Sequence, residues 1–143
     1  MTYEDLLDRH TKETNKFTED EKIIIMLGGT EKEILRQIKE KNLKPNELIN
    51  LGAGIYLKKE YENEFNKLIK RHNKERKEYL LANVYEVVNY YYWDYEVYIS
   101  LNYDYDNILT ELLGMTPEEI EANKDEIRRA REDYIREFEK LNI

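Results

Sequence analysis

The feature that constrains the fold most is a long helical periodicity between Tyr61 and Tyr91. Over this stretch, apolar and amphipathic side chains recur every three or four positions, which is the spacing of one face of an α-helix. The first half of the stretch is basic, whereas its last part, residues 78–91, carries no lysine or arginine. We therefore expect a predominantly helical protein built around this long element. Whether the helix is interrupted near Ala82 and Asn83 stays open.

Two earlier segments favour β-strands. The β-branched run Ile23–Leu27 ends at a glycine pair, and Leu48–Leu57 is a second apolar segment, in which Gly52 and Gly54 predict a bulge or a close backbone approach. A helix starting after Thr30 lies between the two segments. This order permits a parallel pair joined by a right-handed crossover, and an antiparallel arrangement stays open.

A capping signal predicts the first helix. Thr2 is followed by Asp5 three residues later, and apolar residues then continue at helical spacing to Phe17. The polar residues Thr18–Lys22 interrupt this pattern. We expect a helix that ends at this break.

The C-terminal part of the chain predicts three more helices. Asp106 is the expected cap of a short helix that ends at Gly114, and Thr116 precedes a proline and two glutamates, a strong helix start. A charged helix is expected at Asp125–Leu141. Residues Tyr95–Leu101 alternate like a strand after a helical run, so their secondary structure stays ambiguous.

These patterns predict an α+β fold that is predominantly helical. We expect a small two- or three-stranded sheet packed by four to six helices, in a single compact domain spanning residues 1–143. The chain has no cysteine, which excludes disulfides and thiolate chemistry. The polar, acidic N-terminus is unlike a signal peptide, and no apolar run has the roughly 20 residues of a membrane helix. We expect a cytoplasmic protein.

Residues 83–123, here called the acidic tyrosine segment, carry the whole net charge. They hold nine acids, no lysine or arginine, eight of the 13 tyrosines and the only tryptophan, while the rest of the chain sums to +1 against a total of −8. Such a surface fits a basic protein partner and argues against direct nucleic-acid binding. The other interpretation is that these aromatic residues fill a core and the acids lie on the solvent-exposed side of the same elements. The candidate partner-binding residues are Asp94, Glu96, Asp104, Asp106, Tyr92, Trp93, Tyr95, Tyr98, Tyr103 and Tyr105.

The two histidines lie in two copies of the same short sequence motif, Leu-aliphatic-x-Arg-His-x-Lys-Glu. Each copy places a histidine and a glutamate three residues apart, on one side of a helix: His10 with Glu13, and His72 with Glu75. Two such helices packed together could offer a metal site, as in helical bundles that bind metal ions. The alternative to a metal site is that each histidine is a hydrogen-bonded polar residue at the edge of the core. We predict no catalytic residue and no cofactor, and a metal-binding protein or an enzyme built on these four residues remains an alternative only.

Several phrases give the chain a resemblance to a known group. They are Arg9-His10-x-x-Glu13-x-Asn15-x-Phe17, Leu51–Tyr56, Arg71-His72-x-x-Glu75 and Leu113–Ile120. Together they resemble small proteins of phages and prophages from low-GC Gram-positive bacteria. The chain departs from that pattern at Thr18-Glu19-Asp20, which replaces an aromatic and proline-containing run, and at Tyr95, near a common histidine position.

The resemblance implies phage housekeeping or the countering of host defence. In size and charge the chain is similar to anti-CRISPR and anti-restriction inhibitors. We therefore expect a non-enzymatic, stoichiometric inhibitor in a bacterial host cell, bound to a defence protein with a basic groove, such as a CRISPR effector nuclease. A self-associating phage accessory protein, forming a homodimer through its tyrosine-rich residues, is another expectation. Neither direct nucleic-acid binding nor membrane binding is expected.

Overall fold

The computed structural model describes residues 1–19 and 24–141. Contacts within the chain group into two compact units, residues 1–74 and residues 75–143, and the boundary falls inside a long helix. Each unit is described by itself below. The expectation of a single domain remains a prediction.

The first unit begins with the predicted helix. Its elements are α1 (Tyr3–Thr18), β1 (Ile24–Met26), α2 (Glu31–Glu40), β2 (Leu48–Gly52), β3 (Ile55–Lys58) and the start of α3 (Glu62–Ala82). Thr2 and Asp5 form the expected capping box, with each side chain accepting a hydrogen bond from the other residue's backbone N–H. The predicted strand start at Ile23 and most of the predicted polar break lie outside the described residues.

The prediction of one strand over Leu48–Leu57 is wrong, because the chain reverses within it. Gly52, Ala53 and Gly54 all have left-handed φ angles, 93°, 53° and 77°, so β2 and β3 form a hairpin. A side chain at Gly54 would also meet the Leu27 carbonyl oxygen at 2.6 Å. The predicted bulge is present as a register shift between Asn50 and Gly52.

The sheet is antiparallel throughout, which resolves the pairing left open by the sequence. Its strand order is β1-β3-β2, and β3 pairs with both neighbours. Because β2 and β3 follow each other directly, a short hairpin joins them as an antiparallel pair, whereas a parallel pair would need a long crossover connection. Helix α2, capped by Thr30, packs Ile38 against Ile25 and Leu27 of the sheet region, and these three residues form a buried core.

Helix α3 ends at the predicted break. Asn83 has a non-helical backbone, and its side-chain amide donates a hydrogen bond to the Tyr79 carbonyl oxygen, 3.1 Å away. The Tyr79 hydroxyl reaches across the break to the Glu86 carboxylate at 2.7 Å. Helix α4 (Val84–Asp94) therefore starts as a separate element.

The second unit is built on α4 and the C-terminal helix. After α4 come a 3-10 turn (Val97–Ile99), the single turn α5 (Tyr105–Asn107), a π-helical turn (Ile108–Leu112), α6 (Pro117–Ala122) and α7 (Lys124–Leu141). The most extensive contact of α4 is with α7. Thr116 and Glu119 form the expected capping box of α6.

Two local expectations in this unit are corrected or resolved. Asp104, rather than Asp106, caps α5, because the Asp104 carboxylate accepts a hydrogen bond from the Asn107 backbone N–H at 2.8 Å and the Asn107 side-chain oxygen accepts one from the Asp104 backbone N–H at 2.7 Å. Residues Tyr95–Leu101 are a connection with one 3-10 turn and contain no strand. The predicted class, a predominantly helical α+β fold with a small sheet, is confirmed.

Candidate functional site

The four predicted acids surround one connection, residues 95–104, between α4 and α5. Asp94 and Glu96 lie at its start, and Asp104 and Asp106 lie at its end. All four side chains are exposed, and none of them forms a salt bridge with any residue that the structure describes. Glu119 and Glu121, farther along the segment, are by contrast paired with Lys77 and Lys124.

Ring contacts bring the two ends of this connection together. Tyr95 and Tyr103 meet edge to face with centroids 5.0 Å apart, and Tyr92 and Tyr105 do so at 5.1 Å. The four acids therefore belong to one neighbourhood rather than to two distant stretches of chain.

Most of the predicted aromatic residues also pack on α7. Trp93 meets Tyr134 edge to face at 4.8 Å, Tyr98 stacks on Phe138 at 4.4 Å, and the Arg131 guanidinium lies 4.1 Å from the Tyr105 ring centroid. The expectation that this segment contributes to a core is thus met in part. Burial raises the pKa of the Tyr95 and Tyr105 hydroxyls.

Tyr92 does not belong to a partner-binding surface. Its side chain is fully buried, and burial raises the pKa of its hydroxyl. Within the described part of the chain this hydroxyl has no hydrogen-bond partner. Tyr92 is therefore a core residue, and its assignment to the surface is withdrawn.

The sequence did not single out the most exposed apolar residues of the connection. Ile99 is 63% exposed and Leu101 is 102% exposed, while Tyr98 is 43% exposed. We call Tyr98–Leu101 the apex. The alternation of Val97, Ile99 and Leu101 was the available signal, but it resembled a strand.

The apex is held in one shape by hydrogen bonds. The Tyr98 N–H donates to the Tyr134 hydroxyl oxygen at 2.9 Å. The Ser100 hydroxyl oxygen accepts from the Asn102 and Tyr103 N–H groups at 3.2 and 2.9 Å. Leu101 thus projects from a closed turn, which limits the entropy lost on binding.

The net negative charge of the chain lies in the second unit. Residues 75–143 carry a formal charge of −9 and residues 1–74 carry +1. Helix α7 does not offset this charge, because its six bases are balanced by six acids. Its Arg128 and Arg136 pair with acids of the same helix.

The histidine pair lies in the first unit, between α1 and α3. His10 and His72 are both buried, and their rings stack with centroids 4.0 Å apart and an interplanar angle of 15°. The Glu13 carboxylate lies 3.6 Å from His72 Nε2 and forms an ion pair with Arg71. That hydrogen-bonded ion pair with Arg71 lowers the pKa of Glu13. Burial, and the neighbouring His10, lower the pKa of His72.

This arrangement does not suit the predicted metal site. The lone pairs of an imidazole lie in its ring plane, so two stacked parallel rings do not converge on one ion. Across residues 1–19 and 24–141, no three His, Asp or Glu side chains are grouped to hold a metal ion. Glu75 lies one turn beyond His72 and is half-buried. His10 and His72 therefore form a buried ring stack, with the ion pair of Glu13 and Arg71 beside it.

None of the helices within the described ranges combines the length and apolar character that a membrane span requires. No curated protein matches the chain, and no solved structure matches it. One family model does match, over residues 2–137, and it is described as a Family of unknown function (DUF7659). The match covers nearly the whole chain, so the protein belongs to this family.

Proposed function

We propose that this protein is a binding protein that occupies a basic groove on a nucleic-acid-handling enzyme of a bacterial host cell. The observation that carries the proposal is the connection 95–104, where four exposed acids that form no salt bridge with a described residue flank an exposed apolar apex. The resemblance to phage proteins supports a defence enzyme, such as a CRISPR effector nuclease, as the partner. The proposal assigns no catalytic residue and no cofactor.

The acids and the apex have different tasks in this proposal. Acids on a unit of charge −9 steer the protein toward a basic surface and fix its orientation there. Exposed charge pairs add little affinity by themselves, about 0–1 kcal/mol each. Ile99 and Leu101 supply the apolar area that leaves water on binding, in the manner of interface anchors.

The experiment is capture followed by an activity assay. The tagged protein is incubated with a lysate of a low-GC Gram-positive bacterium, eluted with rising salt, and the eluate is identified by mass spectrometry. We expect a nucleic-acid-handling enzyme that salt releases and whose activity falls to zero at one equivalent of the protein. An unrelated acidic protein of similar charge is the control. A captured enzyme that remains fully active would contradict the proposal.

A homodimer through the same tyrosine-rich residues is the alternative that the sequence left open. Sedimentation of the purified protein over a range of concentrations separates the two. A dimer that dissociates when Leu101 is replaced by serine would support self-association as the function of this surface. A monomer at all concentrations supports binding to a different protein.

A further inference from the structure

The small sheet has an open edge at β2. This strand is outermost in the order β1-β3-β2. Apart from the ladder with β3, the backbones of Ile49, Asn50 and Leu51 form no hydrogen bond with a described residue. Every second residue of such an edge directs its N–H and C=O outward, where they can pair with another extended chain.

An apolar groove of about 430 Å³ lies beside this edge, between α2 and the sheet. Ile34 and Leu35 of α2 form one wall, and Leu48 of β2 forms the other. Asn50 and Tyr56 are paired residues of β2 and β3, so their side chains lie on the same face of the sheet as Leu48. The groove thus runs along the face above the open edge.

One charged side chain of the groove has no counter-charge among the residues that the structure describes. Glu31, in the first turn of α2, lines it, is exposed and forms no salt bridge with the described residues. The Tyr56 hydroxyl likewise has no hydrogen bond within the described chain, which leaves a second polar group for a ligand. An acid at the end of an apolar groove selects a cation there.

We propose that β2 and this groove bind an extended peptide segment of another protein. The peptide adds to the sheet as a fourth strand beside β2, so its backbone uses the open N–H and C=O groups. Alternate apolar side chains of the peptide enter the groove beside Leu35, and a lysine or arginine faces Glu31. A helical ligand would leave the strand edge unpaired, and for this reason we assign an extended one.

The test starts from random octapeptides displayed on phage and selected on the full-length immobilised protein. We expect enriched sequences with apolar residues at alternate positions and one basic residue. A selected peptide, made synthetically, should slow hydrogen exchange at those N–H groups of Ile49–Leu51 that point away from β3. Methylating its backbone nitrogens on the side that faces β2 should weaken binding at least about tenfold, and methylating the alternate set should not.

Matched variants locate the peptide on the protein. Leu35→Ser should weaken binding about tenfold, because the side chain leaves the groove wall. Leu81→Ser is the control, since Leu81 is 42% exposed against 45% for Leu35 and does not line the groove. Glu31→Lys should reverse the preference from basic to acidic peptides.

Three results would overturn the proposal: no enrichment, a selected peptide that binds as a helix, or a dimer that buries β2 against β2 of a second copy. The inference does not rest on the proposed function. A variant with Asp94, Glu96, Asp104 and Asp106 changed to lysine should bind the selected peptide unchanged, so failure of one proposal is distinct from failure of the other.

Discussion

Glu96 adopts a left-handed backbone conformation, with φ 49° and ψ 47°, two residues after Asp94, the last residue of α4. This position after a helix is usually glycine, because a side chain there costs about 1 kcal/mol. Glu96 nevertheless has this conformation, lies near the apex, and is one of the four acids that form no salt bridge with a described residue. Residues in such conformations concentrate at binding and catalytic sites.

Replacing Glu96 separates backbone strain from charge. Glu96→Gly and Glu96→Ala both remove the carboxylate, but only glycine adopts a left-handed φ freely. We expect the glycine variant to have a free energy of unfolding about 1 kcal/mol greater than the alanine variant, measured in urea. Equal stabilities would contradict a strained backbone at this residue.

Tyr92 and Tyr134 are both fully buried, but only the Tyr134 hydroxyl forms a hydrogen bond with a described residue. The Tyr134 hydroxyl oxygen accepts from the Tyr98 N–H, whereas the Tyr92 hydroxyl has no partner among the described residues. We expect Tyr92→Phe to raise the free energy of unfolding by about 1 kcal/mol and Tyr134→Phe to lower it by a similar amount. Thermal or urea unfolding measures both. The same sign of change in the two variants would contradict this assignment.

The buried His72 predicts a pH dependence of stability. The pKa of His72 lies below its ordinary value of 6.5, so the unfolded chain binds this proton more readily than the folded chain. The free energy of unfolding should therefore fall as the pH is lowered through about 6.5. Glu13, whose pKa is also lowered, acts in a separate window, because its contribution is lost only below its ordinary value of 4.5.

Urea unfolding between about pH 7.5 and pH 5.5 tests this dependence, since the carboxylates stay ionised over that range. His72→Asn is the comparison, because asparagine does not titrate. We expect a shallower pH dependence in this variant, whatever its absolute stability. An unchanged slope would exclude His72 as the source.

At the scale of elements, the sequence predicted most helices because their signals are local. Thr2 and Thr116 cap helices as expected, and the break at Asn83 is present. The hairpin was missed because Gly52 and Gly54 are compatible with either a bulge or a reversal. Only pairing with a distant strand decides between them, and Gly54 bonds to Leu27 through its carbonyl oxygen at 2.9 Å.

The connection 95–104 shows why the candidate site was only partly predictable. Composition identified the acids and the tyrosines as one group, and the structure gathers them around one turn. Sequence could not separate Tyr92, which is in the core, from Tyr98, which is on the surface, because that depends on where α7 packs. The exposure of Ile99 and Leu101 likewise follows from a turn that Ser100 and Tyr134 hold in place.

At the scale of the whole molecule, charge is divided between two units. The formal net charge of the second unit is −9 and that of the first is +1. The electrostatic attraction of a basic partner therefore comes mainly from residues 75–143. Added salt screens exposed charges beyond about 10 Å at 0.1 M. The proposal therefore places the salt sensitivity of binding mainly in the association rate.

The most direct test of the central claim is a comparison of two charge-reversed variants for binding to the captured enzyme. The first changes Asp94, Glu96, Asp104 and Asp106 to lysine. The second makes the same change in charge with four exposed acids of the first unit, Asp8, Glu40, Glu47 and Glu60. Circular dichroism confirms that each variant is folded. We predict that the first loses binding and the second binds like the unmodified protein. Unchanged affinity of the first variant, or equal losses in both, would contradict the claim that connection 95–104 is the binding surface.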